Sequence, residues 1–535
     1  MTCFLFKRVN HLPSPRYTLS TRLQRYFLIL FLILYGTGVY AQQSAYRFNR
    51  DVLSLSEVKM NDKRVEAHPN IQPMAIGLES TLFTNRDTTD TSSNQKNSLC
   101  AGLLLSGSGG YQFTDQSTPV YGGLVGLDLS LNQVKQWSAN IGYALVGGSP
   151  PEYLRNLADS LHVIPGAGYA VNDGNDLYHT HYTYGHLSYS NGKHFHFEIG
   201  KGKHFWGDGY RSMILGDNAN AFPYARITTK VWKLKYTNLW MQLRDLSYTK
   251  KLKSARIKYA AMHALSLNMG KRFNISLYEM VVWQDRDTMS TRTLDINYLN
   301  PIIFYRPIEY SLGSPDNVIL AMSMRYKPFA KLQFYGQFLL DEFNLEQFRG
   351  NKKWWANKLG GQFGVKIFDI IPGLSFQSEG NIARPFTYTH GSPIQSWTHL
   401  NQSLAHPMGS NFIEWVNFIR FDYQGWTIRE QFTWAAFGRD RDMDGDGLID
   451  NLGGNILRSY KDPYGKYGHE MLQGLKSTFL YHSLTISKRI EKLNGYELFL
   501  SHTMRYEKNE IGKVSDHFLI VGLRVSGLLQ PGTDF

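Results

Sequence analysis

The sequence predicts an all-β fold, a transmembrane antiparallel outer-membrane β-barrel of roughly eighteen strands, with long extracellular loops that include one short helix. Three observations predict it: segments of alternating apolar and polar residues recur along the chain, the connections between them alternate in length, and long apolar runs are missing from the body of the sequence.

The alternation is clearest in residues 136–145. Trp137, Ala139, Ile141, Tyr143 and Leu145 fall on one side of an extended segment, and Gln136, Ser138, Asn140 and Gly142 on the other. This is the period-two pattern of a strand lying between two different media. Near the end, Leu519, Val521, Leu523 and Val525 alternate with Gly522, Arg524 and Ser526. Similar segments lie near 98–106, 119–131, 180–190, 193–201, 225–235, 237–247, 256–268, 272–284, 317–327, 331–341, 358–369, 373–383, 411–423, 425–437, 475–487 and 495–506.

Short turns occur at Asn132, Asn191, Asn268, Lys327, Ile371, Tyr423 and Leu493. Between them lie long excursions at 148–178, 202–224, 285–316, 342–357, 384–410 and 438–470. Tight turns on one rim and long loops on the other are what an outer-membrane barrel keeps and a soluble barrel has no reason to keep. Tyr121, Trp137, Tyr143, Trp232, Trp240, Trp426, Trp434 and Tyr496 stand at or near strand ends. Rings with a polar edge suit the two membrane interfaces there, and a barrel with one polar face leaves little apolar core for them to fill instead.

A mean hydropathy of −0.33 excludes a bundle of membrane helices. The one continuously apolar run, YFLILFLILY from Tyr26 to Tyr35, is short for a span, follows Arg22 and Arg25, and leads into GTGVYA. That order is a secretory signal peptide with cleavage expected after Ala41. The expected organisation is a signal peptide over 1–41, an N-terminal periplasmic arm and linker over 42–97, and the barrel over 98–535.

Cys3 falls in the leader, which leaves Cys100 alone and the mature chain without an intrachain disulfide. The 57 Lys and Arg exceed the 44 Asp and Glu by 13, and removing the five bases of residues 1–41 lowers the excess to 52 − 44 = 8. A mild positive balance on an exported chain argues against nucleic acid and suits anionic glycan or lipid headgroups. Phe535 ends the chain on an aromatic of the kind that barrel-insertion machinery reads, although Pro531 and Gly532 interrupt the run.

The most unusual stretch is residues 200–227, GKGKHFWGDGYRSMILGDNANAFPYARI, too rich in Gly and Asn to be a regular strand or helix. Glycines allow close backbone approach, aromatic faces stack on sugar rings, and fixed carboxylate, amide and guanidinium groups read hydroxyls or anions. The same composition also suits a structural loop folded into a pore, with Phe205 and Trp206 as its own small core.

The series G-K-G-x-x-F-W-G-D-G-Y-R-S, L-G-D-N-A and F-P-Y-x-R-I resembles the signature of the Wzi-type capsule-assembly family and its RemB-like gliding-motility relatives. The similarity extends to NPIIFYRPIEYSLGSPDN at 300–317 and NQSLAHPMGSNF at 401–412. It implies an outer-membrane barrel, without enzyme activity, that binds surface polysaccharide for capsule assembly, attachment or gliding. Under it, Trp206 and Tyr210 are expected to stack on sugar rings, and Asp208, Arg211, Asn218 and Arg226 to hydrogen-bond hydroxyls or acidic groups.

The alternative reading is a porin or transporter in which this loop is an inward-folded constriction. A third, an outer-membrane hydrolase, needs a nucleophile. His399, Asn401, Gln402 and His406 in one excursion and Arg306, Glu309 and Asp316 in another have no G-x-S-x-G elbow nearby, so they are expected to hydrogen-bond loop to loop.

Three further motifs carry chemistry. Asp442, Asp444, Asp446 and Asp450 alternate around Gly447 as in a calcium loop, with Gly453 where a bidentate Glu would stand. They are expected either to hold a structural Ca2+ or to form a solvated acidic loop. His194, His196 and Glu198 share one strand face; with no further ligand nearby, lumen-facing polar residues are the better reading than a transition-metal site. Ser149-Pro150-Pro151-Glu152 reads as a capping box before Leu154, Leu157, Ala158 and Leu161 at helical spacing, which places a short helix in the first long loop.

Overall fold

The computed structural model describes residues 68–74, 98–114, 117–134, 136–247, 249, 251–286, 295–301, 316–350, 352–490, 493, 496–525 and 534. The leader, most of the 42–97 segment, Arg306, Glu309 and Phe535 lie outside these residues.

Among the described residues, 18 long antiparallel strands close a barrel. The first five are β1 (Ser98–Phe113), β2 (Ser117–Val134), β3 (Trp137–Ser149), β4 (Leu177–Ser190) and β5 (Phe195–Gly202). They continue through β6 (Phe222–Val231), β7 (Leu234–Asp245), β8 (Arg256–Met269), β9 (Phe273–Gln284), β10 (Asn317–Phe329) and β11 (Leu332–Glu342). The last seven are β12 (Lys358–Ile367), β13 (Leu374–Ala383), β14 (Phe412–Tyr423), β15 (Trp426–Arg439), β16 (Leu475–Arg489), β17 (Tyr496–Lys508) and β18 (Lys513–Val525). Pairing of β1 with β18, from Gly107 opposite Leu523 to Phe113 opposite His517, completes the ring and leaves no open edge.

The rim asymmetry is as expected. Tight turns join β2 to β3, β4 to β5, β8 to β9 and β14 to β15, while the long connections between β3 and β4, β9 and β10, β13 and β14, and β15 and β16 start and end on strand termini of the other rim. One turn differs from the expected strand boundaries of 225–235 and 237–247. The chain reverses at Trp232 and Lys233, with Trp232 at φ 54°, so that Val231 pairs with Leu234. Neither Gly nor Asn marks this turn, so its position was hidden.

Alternation sorts the faces. On β3, Trp137, Ile141 and Leu145 point outward and are exposed, while Asn140 is buried on the lumen side and donates to Asp128. At the short-turn rim, Trp137 and Trp426 open their strands and Trp232 sits in a turn, all three exposed as interface aromatics require.

The expectation of little apolar core fails over β7–β11. Their lumen faces carry Leu239, Met241, Met262, Met280, Ile319 and Leu339, which form one buried cluster with Trp206, Met213, Ile214 and Leu215 of the 202–222 excursion. The lumen of this half is a packed interior.

Three further departures have physical causes. Residues 68–74, expected in a periplasmic arm, lie inside the barrel: Asn70 donates to Ser276 and Tyr278, and Ile71–Gln72 pair with Phe205–Trp206. The short helix α1 (Glu152–Leu161) forms and buries Leu154 and Ala158, but Ser149 does not cap it. The Gln112 side-chain oxygen on β1 accepts from Glu152 N–H at 3.0 Å instead.

The third is Trp240, expected in an aromatic girdle, which is covered by residues 295–301 lying on the outer wall of β7–β9. Three carbonyls of that segment find donors on the wall, Tyr298 O from Trp240 at 2.9 Å, Asn300 O from His263 at 3.2 Å and Pro301 O from Tyr236 at 2.8 Å. Backbone lying beside a wall needs such partners.

Candidate functional site

The 202–222 excursion folds into the barrel, and its glycines allow that approach. A Cβ on Gly209 would stand 2.4 Å from a Glu379 carboxylate oxygen, and one on Gly216 would stand 2.6 Å from the Ala405 carbonyl. Only glycine passes so near neighbouring segments of the chain. The chain folds back on itself through Trp206 N–H to Leu215 O at 2.8 Å, and Ser212 donates to Trp206 O at 2.6 Å.

Side chains of the wall fix this loop from below. Gln337 donates to Trp206 O at 2.9 Å and accepts from Met213 N–H at 2.7 Å. Glu379 accepts from the Tyr210 and Arg211 amides at 2.7 and 3.0 Å and from Tyr335 at 2.8 Å. Arg211 donates to Glu414 at 3.1 Å and to the Asp534 carboxylate at 3.2 Å, and His406 reaches the other Glu414 oxygen at 2.7 Å. These charges are buried, and each cation has a carboxylate, which is the condition for tolerating them.

The 384–411 excursion packs above. Trp397 donates to Ile214 O at 2.8 Å, Tyr388 to Met213 O at 2.7 Å, and Gly216 N–H to Leu404 O at 2.6 Å. His399 accepts from Arg244 N–H at 3.0 Å, a bond that requires a neutral imidazole, and burial pushes its pKa down to about 3. Burial also lowers His204 to about 3 and His390 to about 4. Of the loop-to-loop bonding expected of this excursion, Asn401 shows it by donating to Leu161 O at 3.3 Å, whereas His399 and His406 bond to the strands, at Arg244 of β7 and Glu414 of β14. Asp316 accepts from Gln395 at 3.0 Å.

Five of the six residues singled out from the sequence lie in the plug, and the sixth, Arg226, stands on the β6 wall and binds the plug at Pro73, all in roles other than those expected. Trp206 is 0% exposed and keeps no face for a sugar ring, because Tyr278 and the apolar wall occupy its surroundings. Arg211 is held by Glu414 and Asp534, and Arg226 by Glu198 at 2.9 Å and the Pro73 carbonyl at 2.6 Å.

Asp208 pairs with Arg325 at 3.2 Å, Asn218 donates to Ser403 O at 2.5 Å, and Tyr210 donates to Asp534 at 2.5 Å. Composition alone does not distinguish a ring that stacks on a ligand from one that stacks on the protein. His196 and Glu198 are buried on the lumen side, as expected, while His194 is exposed in the turn.

Asp442, Asp444 and Asp450 converge at the long-loop rim, with one oxygen of each within 4.8 Å of the others, whereas Asp446 turns to accept from Leu448 N–H. Asp442 accepts from the Gly447 and Gly445 amides, which lower its pKa. Three convergent carboxylate oxygens suit a hard divalent cation.

The same rim carries a feature that sequence reasoning missed. Residues 352–355 and 460–469 run side by side, with Trp355 N–H bonded to Lys466 O, Gly468 N–H to Lys352 O and His469 N–H to Lys353 O. Trp355 packs between Phe386 and Tyr460 at ring separations of 5.5 and 4.9 Å. The density of Trp, Tyr and Lys in KKWW and YKDPYGKY was a legible signal.

No protein-family model and no curated protein matches this chain. Among solved structures it is similar to Wzi of Escherichia coli, an outer-membrane protein involved in group 1 capsule assembly and a carbohydrate-binding β-barrel. That match has a TM-score of 0.55 at 11% identity and covers 89% of this chain and 99% of that one. OccK8 (OprE) of Pseudomonas aeruginosa matches with a TM-score of 0.42 at 8% identity, over 79% of this chain and 97% of that one. OccAB2 of Acinetobacter baumannii matches with 0.43 at 8%, over 79% and 97%. The likeness to Wzi shows the fold, an outer-membrane type of closed barrel.

Proposed function

We propose that this protein resides in the outer membrane and binds surface polysaccharide at its long-loop rim, for capsule assembly or attachment or for cell-surface gliding. It acts as a binding protein and not as an enzyme. The observation that carries this reading is the plug: segments 68–74, 202–222 and 384–411 pack into the β6–β14 side of the lumen with buried, mutually paired side chains, which favours the outer rim as the surface for a large ligand. The structural likeness to a carbohydrate-binding barrel supports the same ligand class.

The plug supplies support for the rim: Trp206, Asp208, Tyr210, Arg211, Asn218 and Arg226 fix its floor, and glycan contact falls to the loops above. The outward apolar faces meet lipid, and the closed sheet is a substrate for barrel-insertion machinery. Export by a cleaved leader at 1–41 belongs to the same proposal. A Ca2+ held by Asp442, Asp444 and Asp450 would neutralise three close carboxylates and pin the 439–475 excursion.

The test is the fraction of surface polysaccharide that stays with the cells when the gene is deleted and then restored. Shedding on deletion and retention on restoration support the reading, and identical retention in both strains refutes it. The porin reading rests on one observation, the inward fold of 202–222, and planar-bilayer conductance separates the two.

A further inference from the structure

We infer that the paired segments 352–355 and 460–467 form an exposed aromatic and lysine platform that binds acidic sugars, the class of residue found in polyuronates. The inference rests on the polysaccharide reading and assigns it a site.

The platform is rigid and uncovered. Residues 352–355 are fastened to 466–469, the end of the second segment and the two residues after it, by three backbone hydrogen bonds of 2.9 to 3.2 Å, and His469 braces that segment by donating to Gly465 O at 3.0 Å and accepting from Gln473 at 2.9 Å. Beneath it, Trp355, Tyr460, His390 and Phe386 pack ring against ring. Above, Tyr464 and Tyr467 remain 42% and 49% exposed although they stand on this fixed base, and Trp354 is half-buried beside Trp355.

Large rings held in water on a pre-ordered backbone lose little entropy on binding, and their faces suit the apolar C–H faces of pyranose rings. The charge set selects among sugars. Lys352, Lys353, Lys461 and Lys466 are all exposed. Lys353 is paired with Glu470, and Lys352 sits 5.7 Å over the Tyr467 ring. A carboxylate on a sugar stacked at Tyr467 would thus meet a cation already placed at the ring. Asp462 is the one acid within these segments and Glu470 lies just beyond them, so positive charge dominates.

The experiment measures binding of the full mature protein in detergent to immobilised polygalacturonate and to neutral dextran. We expect tighter binding to polygalacturonate. Lys352→Ala/Lys461→Ala should weaken it about tenfold without changing dextran binding, and Tyr464→Ala/Tyr467→Ala should weaken both. Each variant is accepted only if it keeps the heat-modifiable gel mobility of a closed barrel; Lys466→Glu, a fully surface change, serves if a double variant does not.

Unchanged polygalacturonate binding in folded variants, or equal wild-type binding to both polymers, overturns the inference. If deletion of the gene sheds polysaccharide while the platform variants retain it, the platform fails and the broader reading stands. If deletion sheds nothing, the broader reading fails first.

Discussion

Arg211 is the residue on which the plug turns. Its guanidinium satisfies Glu414 and the Asp534 carboxylate, while its own amide is fixed by Glu379. Arg211→Ala leaves a buried carboxylate without its counter-charge, at a cost of about 3–5 kcal/mol. The expected outcome is a loosened plug in an intact barrel, read as faster proteolysis within 384–411 with unchanged strand content by circular dichroism.

The buried histidines add a pH dependence with a definite sign. His204, His390 and His399 stay neutral in the fold to well below their ordinary value of 6.5, so below that pH the opened state binds more protons and the packed state loses stability. The loss is absent above pH 6.5 and grows toward pH 4, by about 2 kcal/mol per histidine at pH 5 as an upper bound. Proteolysis of 384–411 should accelerate from pH 7.5 to pH 5, and an unchanged rate contradicts this assignment. The chemistry of these residues was legible in the sequence, but their partners were not. Arg211 and Glu414 meet across 203 residues of chain, and no local pattern reports that.

At the scale of elements, the strands and the rim asymmetry were readable because period two and loop length are local properties. The filled lumen was not. In β7, Leu239, Met241 and Leu243 face inward beside Lys235, Thr237 and Asp245, while Trp240 faces outward beside Asn238 and Gln242, so both faces mix apolar and polar residues and alternation does not say which medium each one meets. The helix was legible from Leu154 and Ala158, whereas its cap, Gln112, came from another strand.

The acidic element carries its own prediction. Calcium should slow proteolysis of 440–451, EDTA should reverse this, and Asp442→Asn/Asp444→Asn should abolish both effects along with direct Ca2+ binding. Retained calcium binding in that variant would place the ion elsewhere.

For the whole molecule, a barrel closed by β1 and β18 and packed inside by three segments should behave as a holder and not as a passage. In planar bilayers the wild type is expected to show no large steady conductance, and Arg211→Ala to show intermittent openings. Large, stable wild-type channels would favour transport. The most direct test of the central claim is the affinity of the purified, detergent-solubilised barrel for the surface polysaccharide of the cells that make it, measured by titration calorimetry. The expected result is saturable binding that competes with polygalacturonate. A folded barrel that gives no binding heat with that polysaccharide would contradict it.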